Sequence, residues 1–368
     1  MKIDSNIKIV LLIAILVLLV VNFLVLNKSI NAEWILYQKD YLKQEYDMAE
    51  DEKIRENLKT KSPEIKQLII KGFGEERIDR CTSCHLAVDD KRFAEAEQPF
   101  KTHPPILEKH PHLKFGCTIC HEGNGRGLSV HDAHGEDKHW ISPLLTGDYT
   151  ESSCARCHPF PYPEETAHLR NGADLFITKA CYSCHKVEGI SKGKLGVELT
   201  HIGEKLTLDY LKESIVDPKA NNMESLMPKM NLSESELTDL LVYLKSLTGK
   251  NLKNGPVTYY TEIKKWLGEK NPEVEISAET GEELFKSKAC TGCHKINGVG
   301  SDEAPDLSYV GIQRTKNWLI QHFIDPRSVV AGSIMPDFDL SESELESLTL
   351  YLMEQRGSSS TPDKPETK

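Results

Sequence analysis

All ten cysteines of this 368-residue chain fall into pairs with one spacing, and a histidine follows each pair directly. The order C-x-x-C-H suits a covalently bound porphyrin, because the two thiols can form thioethers with it while the histidine sits beneath the iron. The pairs are Cys81/Cys84, Cys117/Cys120, Cys154/Cys157, Cys181/Cys184 and Cys290/Cys293, and the proximal histidines are His85, His121, His158, His185 and His294. The sequence therefore predicts five haem c groups, each with an iron.

Other uses of paired cysteines explain this pattern less well. A single C-x-x-C can be a redox dithiol or half of a zinc site. Neither of these requires a histidine directly after every second cysteine, and five structural disulfides would not keep one fixed spacing. Covalent haem is thus the favoured interpretation, and the motifs now have to be placed on structural elements.

An internal repeat covers residues 169–249 and 279–356. The two copies begin "GADLFITKACYSCHKVEG" and "GEELFKSKACTGCHKING", and they end "LMPKMNLSESELTDLLVYL" and "IMPDFDLSESELESLTLYL". Ser233 and Ser341 each have a glutamate three residues later, which is the sequence signature of a capping box at a helix start. The apolar positions that follow recur at helical spacing, so each copy should close with an amphipathic helix.

Each copy resembles a small class I cytochrome c domain, with an N-terminal helix, C-x-x-C-H, an M-P turn and a C-terminal helix. The resemblance implies that the methionine before the proline is the distal iron ligand, which is Met227 in the first copy and Met335 in the second. Met230 aligns with Phe338, which cannot bind iron, so Met230 is expected at the haem edge or in the core.

In this family a proline carbonyl commonly orients the proximal histidine. Pro305 occupies that place in the second copy, whereas Val197 stands there in the first. A backbone carbonyl can accept the ring N–H without a proline ring, so the contact to His185 is open in the first copy.

Residues 74–168 carry three of the five motifs, which is too little chain to build an ordinary core around three haems. Its sequence is rich in proline, glycine and histidine, which favours loops wrapped around the cofactors. Seven of the nine histidines that are not proximal lie here, and the segment has no methionine. We therefore expect bis-histidine sites with His103, His110 and His134 as distal ligands. The remaining histidines are His112, His131, His139 and His168, of which His139 is the strongest substitute.

Residues 9–26 form an apolar run broken by Asn22, long enough to cross a bilayer once extended to Ile7. "SINAE" at 29–33 is a poor cleavage site, so we expect an uncleaved signal-anchor over residues 1–32, although a cleaved signal is the alternative. A helical stalk over 33–73 should follow, interrupted near Ser62 and Pro63. Because c-type haem is attached outside the bacterial cytoplasmic membrane, the haem domains should face the periplasm.

The complete prediction is a mainly α chain with a transmembrane helix, a loop-rich triheme segment and two all-α cytochrome c domains. Residues 250–278 are expected to be a linker and 357–368 a disordered tail. The net charge of −11 argues against a nucleic-acid partner.

Residues 70–160, with "RIDRCTSCHLAVDD" and "FGCTICHEGNGRG", resemble multihaem c-type subunits of bacterial quinol-oxidising or cytochrome b-type membrane complexes. The resemblance implies an electron relay in a respiratory chain, from a quinol-oxidising complex to a periplasmic acceptor or terminal oxidase, with other membrane subunits as partners. Methionine ligation raises the potential of a haem, so electrons should run from the triheme segment to the two repeats. The alternatives are a multihaem reductase or peroxidase and an autonomous quinol dehydrogenase.

Overall fold

The structure is a computed structural model that describes residues 5–137, 140, 142–249, 274–338 and 340–357. Two compact units make up the chain, Met1–Leu145 and Thr146–Lys368. His139, most of the predicted linker and nearly all of the predicted tail lie outside the described residues. Helices dominate both units and the strands are short, which confirms the predicted mainly α class.

The first unit begins with helices and then becomes loop-rich. Its α-helices are α1 (Ser5–Ile30), α2 (Glu33–Met48), α3 (Glu52–Thr60), α4 (Ile106–Lys109), α5 (His112–Phe115), α6 (Thr118–His121) and α7 (Val130–His134). Strands β1 (Leu68–Ile70) and β2 (Arg77–Asp79) form an antiparallel pair, and 3-10 turns cover Cys81–Ser83 and Lys91–Phe93. Of the described helices, α1 is the one long and apolar enough to cross a membrane.

Helix α2 packs on the first haem motif, so the predicted stalk is part of the folded unit. Tyr41 stacks on Phe93, and Tyr37 meets Phe100 edge-on, within one apolar cluster of this unit. The buried Gln38 side chain donates to the carbonyl of Ser83, which stands between Cys81 and Cys84. Helix α3 ends at Thr60, close to the predicted interruption.

The second unit contains both repeats. The first repeat has α8 (Ala167–Thr178), α9 (Cys181–Cys184), α10 (Ile202–Lys205), α11 (Leu208–Val216), α12 (Pro218–Asn221) and α13 (Glu234–Ser246), with strands β3 (Lys186–Val187) and β4 (Ser191–Lys192). The second has α14 (Ala278–Ser287), a 3-10 turn at Cys290–Gly292, β5 (Lys295–Ile296), β6 (Val299–Gly300), α15 (Val310–Gln313), α16 (Lys316–Ile324), α17 (Pro326–Val329) and α18 (Glu342–Met353).

The first and last helices of each repeat cross at a glycine. A Cβ added to Gly172 of α8 would lie 2.0 Å from the carbonyl oxygen of Asp239 in α13, so only glycine permits this approach. Gly281 of α14 makes the same approach to Ser347 of α18, where the added Cβ would lie 2.1 Å from the oxygen. The predicted capping boxes are present at the starts of α13 and α18.

The third haem motif lies with the first repeat, inside the segment predicted to be triheme. A 3-10 stretch over Gly147–Arg156 packs against α13, and Ala155, Phe160 and Tyr162 belong to the buried cluster of that repeat. The unit boundary after Leu145 thus divides the segment 74–168. The physical reason is that this stretch carries apolar side chains of its own, and a neighbouring helix bundle can bury them.

Candidate haem-binding sites

The ten cysteines all lie within the described residues, and no disulfide joins them. Burial raises the pKa of Cys181 and of Cys290 to about 12. A redox dithiol requires the opposite shift, because the thiolate is the reactive form. The raised pKa values therefore argue against a disulfide-exchange role for these two pairs.

Each haem motif forms one tight backbone turn that holds both of its cysteines. In the second motif the backbone N–H of Cys120 donates to the carbonyl of Cys117 at 3.1 Å, and in the third the N–H of Cys157 donates to Cys154 at the same distance. All four of these cysteines are half-buried. The N–H of the following histidine donates to the first cysteine of the motif at 2.9 Å in both cases. Two thiols and an imidazole thus share one turn, as attachment to one porphyrin requires.

Three proximal histidines, His121, His185 and His294, share one hydrogen-bonding pattern, in which the ring bonds to a backbone carbonyl across a loop. A carbonyl only accepts, so the ring N–H must donate to it. In all three, Nδ1 is the donor at 2.8–2.9 Å and Nε2 is left as the atom with a lone pair for iron. The acceptors are Leu145 for His121, Val197 for His185 and Pro305 for His294.

This pattern settles the open contact in the first repeat and extends beyond the prediction. Val197 accepts from His185 through its backbone, so no proline ring is needed there. Leu145 was not predicted as an acceptor, since a carbonyl acceptor is a backbone property that leaves no mark in the sequence. Burial lowers the pKa of His85, which keeps the imidazole neutral as a metal ligand must be. It does the same for His121, His185 and His294.

Two of the candidate distal histidines face proximal ones in the first unit. The ring centres of His85 and His134 are 6.4 Å apart with an interplanar angle of 27°. Those of His103 and His121 are 5.9 Å apart at 83°. An imidazole nitrogen binds a metal at about 2 Å, so two imidazoles on opposite sides of one iron have ring centres roughly 6 Å apart. Both pairs fit a bis-histidine iron, one nearly parallel and the other nearly perpendicular.

Iron ligation by His103, His110 and His134 stays a prediction for all three, and His110 is placed differently from the other two. The His110 ring lies edge-on to the Phe115 ring, with ring centres 5.3 Å apart, and both residues belong to the first unit. His158, the proximal histidine of the third motif, belongs to the second unit. His112 begins helix α5. The His131 side chain is 60% exposed and lies beside Asp132, so it stands in solvent although it shares α7 with His134.

His168 serves as a structural residue of the first repeat. Its Nδ1 lies 2.5 Å from the carboxylate of Asp239, which is buried on α13, and its Nε2 lies 3.4 Å from Asp148. The hydrogen bond to Asp239 is the main reason that the pKa of His168 is raised. The side chain thus ties the start of α8 to α13 and is not left for iron.

Met227 and Met335 occupy equivalent positions in the two repeats. Each packs against the apolar core of its own repeat, and each backbone N–H is bonded to a serine hydroxyl two residues earlier at 3.2 Å. Met230 also packs on the first core, so burial alone does not separate it from Met227. The repeat register, which offers only Met335 in the second copy, remains the reason for choosing Met227.

His322 is a histidine near a haem site that the sequence reasoning did not single out. Its ring stacks on Trp318 of the same helix α16, with centres 4.8 Å apart and planes 14° apart. Burial lowers its pKa, and the nearby His294 contributes in the same direction. The spacing of four residues on one helix is the signal that could have indicated this stacked pair.

The two repeats meet between the methionine turn of the first and the haem motif of the second. Pro228, directly after Met227, packs so closely on Gly292 that a Cβ added there would lie 2.1 Å from the proline Cβ. Gly292 stands between Cys290 and Cys293. The same contact region carries an ion pair between Lys219 and Glu303 at 3.1 Å.

Comparison with known proteins agrees with this geometry over the C-terminal half. Residues 169–248 match the family model described as cytochrome c, and residues 300–355 match the model described as cytochrome c oxidase, mono-heme subunit/FixO. The first match includes the motif at Cys181/Cys184, whereas the second begins after Cys290, Cys293 and His294; neither match includes the first three motifs. Haem attachment at Cys120 and Cys157, as at the other cysteines of those motifs, therefore stays a prediction from the sequence and from the geometry of the turns.

The relatives include cytochrome c4 of Stutzerimonas stutzeri, 30% identical over 38% of this chain and 65% of that protein. The C subunit of the nitric oxide reductase of the same organism is 28% identical over 26% of this chain and 70% of that protein. Cytochrome c oxidase subunit 2 of Alkalihalophilus pseudofirmus is 30% identical over 25% of this chain, and the match spans only 30% of its length. The chain is thus similar to c-type cytochromes of electron transfer, and its cytochrome c domains imply covalently bound haem c.

Proposed function

We propose that this protein is a membrane-anchored pentahaem cytochrome c that relays electrons from a quinol-oxidising membrane complex to a periplasmic acceptor or terminal oxidase. The observation that carries the proposal is the pairing of His85 with His134 and of His121 with His103. Two imidazoles on one iron leave no position for a substrate. Closed sites favour electron transfer over a reductase or peroxidase, which needs an open iron position.

The residues of the chain supply attachment, orientation and shielding. The cysteine pairs fix each group covalently, and the carbonyl-bound proximal histidines keep their Nε2 atoms directed away from the acceptor carbonyl. Bound haem c supplies reversible one-electron chemistry. Met227 and Met335 are proposed to complete the two C-terminal sites, where methionine raises the potential relative to two histidines.

The path of the chain supports electron entry at the membrane end. Gln38 of α2 touches the first haem motif through Ser83, and it lies twelve residues after Leu26, the end of the apolar run. At the rise of a helix this is roughly 20 Å. The first motif therefore lies near the membrane surface when α1 spans the bilayer, with the haem domains on the periplasmic side.

The C-terminal repeats support an exit toward a higher-potential partner. They are in contact through Pro228 and Gly292, so two methionine-ligated sites are neighbours in one unit. The relatives named as subunits of an oxidase and a nitric oxide reductase suggest that the partners are subunits of a membrane respiratory complex.

Carbon monoxide binding to the purified, reduced protein tests the proposal. We expect five haems per chain and little carbon monoxide binding, because the proposal gives each iron two protein ligands. Rapid stoichiometric binding at one haem would instead favour the redox enzyme. A potentiometric titration resolved by visible spectra checks the direction, and methionine-ligated haems at the lowest potentials would contradict it. Quinol oxidation by the purified protein alone would favour the autonomous dehydrogenase.

A further inference from the structure

One carboxylate joins the first two haem motifs. Asp79, at the end of β2, is fully buried. Its Oδ1 accepts a hydrogen bond from the backbone N–H of Cys81 at 3.2 Å, and its Oδ2 accepts from Cys117 at 2.7 Å and from Thr118 at 2.9 Å. The two cysteines are the first of their respective motifs and are 36 residues apart in the sequence.

The sulfur atoms of both motifs converge on this carboxylate. The Sγ atoms of Cys81 and Cys117 and a carboxylate oxygen of Asp79 all lie within 4.8 Å of one another. The thioether bonds of two different haems would therefore form at the same point of the fold, on either side of one acid. An ionised carboxylate is purely an acceptor, and three backbone N–H groups satisfy it here.

The surrounding backbone is shaped to keep this arrangement. Gly116, just before Cys117, has a φ of +64°, and a Cβ added there would lie 2.8 Å from Oδ2 of Asp79. The loop after the second motif returns to the same strand, where the carbonyl of Gly125 accepts from the N–H of Arg80 at 2.8 Å. The second motif is thus fixed to β2 on both of its sides.

We propose that Asp79 is a shared positioning residue for the first two haem sites and lowers the reduction potential of both. This inference rests on the proposed function in one respect, that both motifs carry haem c. A buried negative charge beside both attachment points stabilises the more positive, oxidised iron, since Coulomb energies are larger in the interior than in water. The same charge therefore keeps the membrane end of the relay at low potential.

The test compares the full-length, haem-loaded protein with its Asp79→Asn variant, in which the charge is removed at constant size. We expect two of the five midpoint potentials to rise together while the other three stay in place. We expect each of these two potentials to rise by about 59 mV, which for one electron corresponds to a tenfold change in the oxidised-to-reduced ratio. Asp89→Asn is the matched control, because it removes an equal charge at an exposed position of the same unit and should leave all five potentials unchanged.

Haem content provides the second readout, in case the variant does not hold its fold locally. If Asp79→Asn loses the first two haems together and retains the other three, shared positioning is supported. If Asp79 positioned only one motif, the variant would lose only one haem. The sites are identified through the low-spin signals that His134→Ala and His103→Ala remove. Unchanged potentials and content, or a response of one site alone, would overturn the proposal. A wild-type protein without haem at these two motifs would instead refute the proposed function.

Discussion

At the residue scale, the imidazole pairs of the first unit are the most specific feature of the sites. His134 and His131 share helix α7, yet only His134 faces a proximal histidine. We predict that His134→Ala converts one haem from low spin to high spin and opens it to carbon monoxide, because its iron loses a ligand. His131→Ala is the matched control and should leave the electron paramagnetic resonance spectrum unchanged.

The opposite outcome would identify another ligand. If His134→Ala kept all five haems low spin, a different side chain would have to occupy the sixth position. The two angles offer a further check on the wild-type protein. Near-parallel and near-perpendicular imidazole planes, at 27° and 83°, should give two distinct low-spin signals.

The two methionines of "SLMPKMNLS" give the second prediction at this scale. Met227→Ala should abolish the sulfur–iron charge-transfer band of one haem, because the repeat register assigns the thioether ligand to that position. Met230→Ala should preserve the band and cost some stability, since its side chain packs on the same core. Visible spectra of the two oxidised variants decide the matter, and loss of the band from Met230→Ala alone would reverse the assignment.

How much of the sites could be predicted differs from residue to residue. The C-x-x-C-H motifs are local in sequence, so the proximal histidines could be named at once. The methionine ligands follow from the resemblance to class I cytochrome c domains, and the comparison of the two repeats selects Met227 over Met230; both remain predictions. The carbonyl of Leu145 and the carboxylate of Asp79 could not be predicted, because their partners are 24 and 38 residues away and are met only in the fold.

At the scale of elements, the crossing of α8 and α13 depends on one glycine. Gly172→Ala would place a methyl group 2.0 Å from a backbone oxygen of α13. We predict a loss of roughly 1–3 kcal/mol or more in the free energy of unfolding, the usual cost of overpacking. Asn171→Ala, an exposed neighbour on α8, is the control and should change stability little. Chemical denaturation followed by circular dichroism measures both, and equal stabilities would show that the helices can separate without cost.

The same helix pair should respond to pH through His168. Asp239 holds its pKa above the ordinary value, and Asp148 and Glu151 act in the same direction. A raised pKa in the folded state means that the stabilisation is complete below the unfolded pKa of about 6.5 and disappears as the pH rises through the folded value. As the pH rises from about 6.5 through the folded-state pKa of His168, the melting temperature of the wild type should therefore fall relative to that of His168→Gln. Identical pH profiles for the two proteins would contradict the assignment, and His131→Gln is the control.

The elements themselves were largely accessible to sequence reasoning, while their partners were not. The capping boxes at Ser233 and Ser341 and the end of α3 near Pro63 follow from local rules. The packing of α2 on the first haem motif depends on distant aromatic side chains. The attachment of the 147–162 stretch to the first repeat likewise depends on a core that lies further along the chain.

At the scale of the whole molecule, each of the two units groups its predicted ligands differently. Histidine pairs occur in the first unit, which carries the apolar helix, and the methionines occur in the second. This order along the chain is what gives the proposed relay a direction, from low to high potential. The contact between the two repeats can be perturbed at a single residue.

Gly292 allows the second repeat to approach Pro228 of the first, and Gly292→Ala would place a Cβ 2.1 Å from the proline. We predict that this variant slows electron exchange between the two C-terminal sites, because the repeats must separate and transfer rates fall with distance. Both sulfur–iron bands should persist, since neither methionine is changed. Lys219→Ala is the control: it removes an ion pair whose side chains are 53% and 44% exposed, which is worth about 0–1 kcal/mol. Flash-induced reduction followed by transient absorption measures the exchange, and an unchanged rate in Gly292→Ala would show that the contact does not govern transfer between the repeats.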